Sequence, residues 1–175
     1  MPRRNVKTIL KAFNEFKKKY QKEIDETVQL LLVGYTTLKG DKDSIPAQIK
    51  RMNLLDDVRI ISDIPDKDLV RFYNIASIFL FPTLYEGFGL PPIEAMSCGT
   101  PVIASNVSSV PEVLGDAAMF IAPNDFIEIA KDIYYLLVDN KLRDKKIILG
   151  KKRASLYSWK NYCHSTLQAF RKLWQ

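Results

Sequence analysis

Seven residues, Gly87-Phe88-Gly89-Leu90-Pro91-Pro92-Ile93, separate two glutamates, Glu86 and Glu94. A segment of this kind can hold an anion together with the hydroxyls beside it. Gly87 and Gly89 let the backbone come close to a ligand and take up positive φ. The residues after them open a helix, whose unbonded N–H groups and dipole favour a negative group such as a diphosphate. Pro91 and Pro92 carry no N–H, which narrows the donors to Gly89, Leu90 and Ile93. A carboxylate accepts two hydroxyl hydrogen bonds at once, as the cis-diol of a ribose or adjacent hydroxyls of a sugar would present them. Blander roles stay open at this point. Glu94 could simply complement the helix N-terminus, worth about 0.3–1 kcal/mol, and Glu86 could be an exposed loop residue.

The elements that must position these residues alternate along the chain. Residues 5–20 place Val6, Ile9, Leu10, Phe13, Phe16 and Tyr20 at helical spacing with lysines opposite, an amphipathic helix. Gln29–Gly34 reads as a buried strand, 41–55 as a weaker helical stretch and Val58–Ser62 as a short strand. Asp66–Ala76 reads as a helix with Asp66 as its N-cap. Ser77–Phe81 is a strand stopped by Pro82, and the glycine turn leads to a helix over Pro91–Cys98 that Gly99 terminates. Pro101–Ser105 and Ala118–Ile121 are further strands around one helical turn at Pro111–Leu114. From Asp125 the chain is helical, in three pieces broken near Asn140 and over 156–159.

Apolar strands alternating with helices predict a parallel sheet covered on both faces. The expected fold is α/β, a Rossmann-like doubly wound sheet with C-terminal helices, in a single domain over residues 1–175. Ligands of such sheets sit beyond the carboxyl ends of the strands. One departure stands out: the pattern begins with a helix, where the usual strand order 3-2-1-4-5-6 calls for a central strand first. The expectation is therefore a sheet without its first strand, in a truncated chain or one completed by another. Direct pairing of the strand at 29–34 with that at 77–81 would refute it.

Composition bounds the remaining classes. With 47% hydrophobic and 26% charged residues, the chain reads as globular. Runs such as VQLLLVG over 28–34 are far shorter than the roughly 20 residues of a membrane helix. No secretory leader is recognisable in MPRRNVKTIL, and two cysteines, Cys98 and Cys163, make no disulfide framework, which suits a cytoplasmic location. The net charge of +6, with basic clusters at Lys17–Lys19 and Lys145–Arg153, reads first as a solvated surface. Contact with an anionic membrane face is the second reading. Nucleic acid is disfavoured, because no helix–turn–helix, RNP motif or aromatic stripe accompanies the charge. Asp41-Lys-Asp43 and Asp66-Lys-Asp68 fit a metal-binding D-x-D pattern, but chance matches are expected in a chain this charged. His164 reads as a surface residue, Cys98 as packed, Glu112 as a local cap after Pro111, and Trp159 and Trp174 as anchors of the last helix to the core.

The stretch Glu86-Gly-Phe-Gly-Leu-Pro-Pro-Ile-Glu94 resembles the E-x7-E motif of the family 4 glycosyltransferases, and Ala95-Met-Ser-Cys-Gly-Thr-Pro-Val-Ile-Ala-Ser105 resembles the segment that follows it. The likeness continues through Val110-Pro-Glu-Val-Leu-Gly-Asp-Ala-Ala118 and Ala122-Pro-Asn-Asp125 to Leu156-Tyr-Ser-Trp159. At the front, Pro2-Arg3-Arg4-Asn5 is similar to the Pro-Arg-Lys-Asn after the family's first strand. The resemblance implies the C-terminal, donor-binding half of a GT-B enzyme that transfers a hexose from a nucleoside-diphosphate sugar to a glycan or lipid-linked acceptor with retention. No metal or other cofactor is implied. Arg4, with Arg3 beside it, would stabilise the diphosphate leaving group, and Glu86 would touch donor-sugar hydroxyls. The backbone of Gly87, Phe88, Gly89 and Leu90 would hold sugar and phosphate, and Glu94 the ribose. The base would lie near Ile64, although Ser62 stands where the family often has glycine. The implied donor is GDP-mannose or a UDP-hexose. The implied partner is an N-terminal acceptor domain or a separate subunit; the basic charge adds peripheral contact with the inner face of a membrane as the second reading. A non-catalytic sugar-nucleotide-binding subunit is the alternative; an epimerase is disfavoured because such enzymes lack the E-x7-E phrase.

Overall fold

In this computed structural model, which describes residues 4–34 and 44–174 (for Asp66, the backbone alone), five short strands alternate with helices. Helix α1 (Val6–Lys19) buries Ile9, Leu10, Phe13 and Phe16 and ends in three lysines that suit its negative C-terminal pole. Strand β1 (Leu30–Val33) follows. Helix α2 (Ile45–Arg51) starts at Ser44, whose hydroxyl accepts the Ala47 N–H. Strand β2 (Val58–Ile61) then runs parallel to β1, with Leu30 opposite Val58 and Val33 opposite Ile61. The second half contains α3 (Asp66–Ile75), β3 (Phe79–Phe81), α4 (Leu90–Ser97), β4 (Val102–Ser105), α5 (Val110–Leu114) and β5 (Met119–Ile121). Three helices complete the chain: α6 (Phe126–Val138), α7 (Asn140–Ala154) and α8 (Trp159–Leu173). The carboxylates of Asp125 and Asp139 and the hydroxyl of Ser158 cap them in turn.

Helices cover the strands on both faces, and β4 shows why its sequence is uniformly apolar. Ile103 packs into one cluster with α1, α2 and α6, whereas Val102 and Ala104 pack into a second with α3, α4, α5 and α7. A strand buried on both faces has no polar side to offer. Strand β3 divides likewise, Leu80 toward the first cluster and Phe79 and Phe81 toward the second.

Among the described residues the strands form two parallel sheets, β1-β2 and β3-β4-β5. The strands at 29–34 and 77–81 do not pair, so the direct pairing that would have refuted the expectation is not found. Among the described residues, side-chain packing joins the halves, since Leu32 and Val58 share a core cluster with Ile103 and Ile121.

Several local expectations are corrected. Helix α3 takes Pro65 as its N-cap, with Asp66 as the first helical residue, because the extended conformation of Pro65 already delivers the chain into the helix. Ser109 occupies the N-cap of α5 and Glu112 lies in the first turn, where a carboxylate complements the dipole without capping. The last helix is not anchored to the core. No residue of α8 is buried, and Trp159 and Trp174 are 80% and 88% exposed.

Candidate functional site

The site is assembled at the carboxyl ends of β3, β4 and β5. Asn5, in a left-handed conformation (φ 52°), precedes α1. Its Nδ2 donates to the carbonyl of Pro82, just past β3, at 3.0 Å and to that of Pro123, just past β5, at 2.7 Å. Thr8 Oγ1 donates to Asn5 Oδ1 at 2.8 Å and holds the amide in this orientation. The start of α1 is thereby stapled to the strand ends, and Arg4 is carried there with it.

The glycine turn is fixed from below by hydroxyls. Ser105 Oγ donates to the Thr83 carbonyl at 2.7 Å, and Thr83 Oγ1 donates to the Tyr85 carbonyl at 3.0 Å. Two serines beyond β4 then bracket Glu86: its N–H donates to Ser108 Oγ at 3.0 Å, and Ser109 Oγ donates to its carbonyl at 2.8 Å. Ser108 itself sits at φ 47°. The Gly87 N–H reaches Glu86 Oε1 at 3.3 Å.

Gly89 is the N-cap of α4, at φ 97° and ψ 60°. Gly87 has no positive φ, which corrects the expectation that both glycines take one up; the bend is made at Gly89. The helix also begins one residue early, at Leu90 instead of Pro91. Ile93 thus becomes the fourth helical residue, whose N–H is the first to bond back inside an α-helix, to the N-cap carbonyl. The unbonded donors are those of Gly89 and Leu90. They are fewer than expected, yet they lie beside a cation.

Arg4, Phe81, Glu86, Phe88, Gly89, Leu90 and Pro91 line one cavity of about 240 Å³. Phe88 closes one side of it, edge-on to Tyr157 with ring centroids 5.4 Å apart. A ligand pocket usually holds about 300–1,000 Å³, so this is the floor of a site and not an enclosure. Glu94 is outside that lining, one turn along α4. Its Oε2 accepts the hydroxyl of Tyr73, from α3, at 3.0 Å. Burial first, then the charge and hydrogen bond of Glu94, hold the Tyr73 hydroxyl well above its ordinary pKa, and the guanidinium of Arg4 is near enough to pull the other way. Glu86 thus lines the cavity with Arg4, whereas Glu94 stands one turn along α4 and is tied to Tyr73.

The other expected site residues are placed differently. Ile64 lines a second cavity, of about 490 Å³, with Ile61, Ser62, Phe72 and Ile75, apart from the one that holds Arg4 and Glu86. Arg3 and the acidic pair Asp41 and Asp43 lie outside the described residues. In the other D-x-D match, Asp68 pairs with Arg71 at 3.0 Å. His164 lies on exposed α8, 2.8 Å from Gln168, and Cys98 is half-buried against the second core cluster.

Sequence reasoning missed the parts of Asn5, Tyr73, Ser108 and Ser109. Asn5 has one local signal, an amide-bearing residue suited to the left-handed region just before a helix. Nothing local marks Tyr73 or the serines.

A parallel α/β domain with a cation, an acid and a positive helix end lining one cavity past its strand ends is built as a GT-B glycosyltransferase domain is built. The chain belongs to the family described as Glycosyl transferases group 1, which matches residues 1–153. It is 36% identical over 173 residues to an O-antigen chain mannosyltransferase B of Escherichia coli, a match covering 98% of this chain and 44% of that protein. It is 29% identical over 153 residues to the MMP alpha-(1->4)-mannosyltransferase of Mycolicibacterium hassiacum, covering 85% of this chain and 36% of that protein. Among solved structures, sucrose-phosphate synthase from Thermosynechococcus elongatus superposes with a TM-score of 0.83 at 28% identity, over 99% of this chain and 43% of that one. The chain thus spans less than half the length of these relatives. Among the described residues no helix is long and apolar enough to cross a membrane.

Proposed function

We propose that this chain is the donor-binding half of a retaining hexosyltransferase that takes a nucleoside-diphosphate sugar, with mannose as the sugar. The observation that carries the reading is the single cavity in which Arg4, Glu86 and the Gly89–Leu90 turn meet. When the bond between the anomeric carbon and the phosphate oxygen breaks, its electron pair leaves with the diphosphate. Arg4 and the amides of Gly89 and Leu90 are suited to that growing negative charge. Glu86, half-buried beside them, is suited to sugar hydroxyls, and Glu94 to the ribose diol. The preference for mannose leans on the mannosyltransferase relatives, and retention leans on the resemblance of the E-x7-E segment. No resident metal enters, since the leaving group's charge is met by a guanidinium and backbone amides. We place the reaction at the cytoplasmic face of a membrane, with the basic helices α1 and α7 able to face anionic lipid.

The acceptor belongs to a second domain or a partner subunit in this reading. The exposed apolar stripe of α8, with Tyr162, Phe170 and Trp174, favours such a partner. It equally suits the reading as a non-catalytic sugar-nucleotide-binding subunit. The test is a thermal-shift panel of GDP, UDP, GDP-mannose and UDP-hexoses on the chain, followed by product analysis. Stabilisation by one nucleotide and its sugar, with no transfer by the chain alone, is expected. A chain that no nucleotide stabilises contradicts donor binding, and turnover by the 175 residues alone contradicts the need for a partner.

A further inference from the structure

Between the core and the proposed ribose contact stands one side chain to which the donor-binding scheme gives no role. We propose that Tyr73 is a positioning residue, one that holds the Glu94 carboxylate in the orientation in which it accepts two neighbouring ribose hydroxyls. The inference rests on the donor-binding reading above and deepens it.

Glu94 sits on the exposed side of α4, where a glutamate ordinarily samples several rotamers and loses that freedom on binding. Here the Tyr73 hydroxyl reaches Oε2 at 3.0 Å and ties the side chain down in advance. Tyr73 can do so because it is itself packed in place. It is 7% exposed, and its ring stands edge-on to Phe79 of β3 at 5.5 Å. Its carbonyl accepts the hydroxyl of buried Thr100 at 2.6 Å, which pins the end of α3 to the loop after α4. Its ring is thus packed on β3 and its backbone tied to the loop after α4 before the phenol touches the carboxylate.

Its chemistry is also the right one. A phenol that keeps its proton acts on a carboxylate as a donor and takes up one lone pair of Oε2. The other lone pair of Oε2 and both of Oε1 stay available, enough for two hydroxyl donors. A lysine in the same place would neutralise the charge that makes those hydrogen bonds strong. Phenylalanine would leave the carboxylate free to turn away.

A purely structural Tyr73, joining α3 to α4, would affect every ligand alike. A positioning Tyr73 affects only ligands that bear the diol. The experiment is calorimetry of GDP and UDP against their 2′,3′-dideoxy counterparts on the 175-residue chain, as wild type, Tyr73→Phe, Glu94→Ala and the double variant. Wild type is expected to prefer the ribonucleotide by about tenfold or more, the scale of one hydrogen bond to a charged acceptor. Glu94→Ala should erase that preference. Tyr73→Phe should shrink it by about three- to tenfold while leaving the affinity for the dideoxynucleotide unchanged. In the double variant, Tyr73→Phe should add nothing. Equal losses for both ligands, or an intact preference in Tyr73→Phe, overturn the positioning role. Should Glu94→Ala keep the wild-type preference, the ribose contact itself falls, and absence of binding by wild type removes the donor-binding reading beneath both.

Discussion

Gly89 turns the chain into α4 at φ 97°, a conformation in which an L side chain is strained. A Cβ there would lie 3.5 Å from Pro92 Cγ and 3.7 Å from Phe81, ordinary contacts, so the strain decides the outcome. Gly89→Ala is expected to cost about 1–3 kcal/mol in urea unfolding. Gly87→Ala should stay within about 0.5 kcal/mol, because its Cβ would meet nothing within 4 Å and its φ is not positive. Equal losses at the two positions would contradict this division of labour. Asp132, on α6, makes a separate prediction about pH. It is 6% exposed, and burial, reinforced by Glu128, pushes its carboxyl up to about 6 from 3.8. Folding therefore favours the protonated form. The stability tied to that proton is complete below pH 3.8 and is lost as the pH climbs through 6. Asp132→Asn should stabilise the chain by about 1–3 kcal/mol at pH 8 and by little at pH 4, read from urea midpoints at the two pH values.

At the scale of elements, α1 and α8 are opposites. Both are amphipathic, and their sequences give the same kind of signal. Helix α1 spends its apolar side on the core, with Leu10 and Phe16 fully buried, and is stapled at its start by Asn5. Helix α8 spends its apolar side on nothing among the described residues, leaving Leu167, Phe170 and Leu173 exposed beside its two tryptophans. A helix contributes to stability mainly through the face it buries. Removing residues 159–175 is accordingly expected to shift the unfolding free energy by less than about 0.5 kcal/mol. The cut must leave Tyr157, whose hydroxyl bonds the Val113 carbonyl at 3.0 Å and whose ring meets Phe88. A large loss on truncation would mean that α8 packs where it is here exposed.

For the molecule as a whole, the two-sheet arrangement sets a gradient of local stability. Strand β4 is bonded on both edges and buried throughout, whereas β1 and β3 each bond one neighbour among the described residues. Hydrogen exchange should be slowest at Ile103, Ala104 and Ser105 and faster along β1, because local opening costs least where fewest bonds and contacts are broken. Uniform protection across the five strands would argue that the halves open as one.

Much of this was legible in the residues. Strand runs ending at Gly34 and Pro82, the glycine turn and the terminator Gly99 are punctuation by residues with restricted or unusual backbone freedom, and their effect is local. The E-x7-E segment likewise carried its chemistry in plain order, since an acid, a glycine bend and a helix start are neighbours in the chain. What it could not carry was partnership. Asn5 finds its acceptors 77 and 118 residues away, Glu86 its serines 22 and 23 away, and Glu94 its phenol 21 away. Whether an amphipathic helix is covered, which of two glycines takes the strained bend and which carboxylate oxygen is already engaged are settled by contacts between distant segments. The sequence by itself determined the order of elements and the kinds of group offered to a ligand; tertiary packing alone decided how those groups are aimed, because aim depends on what stands behind each side chain and not on what stands next to it.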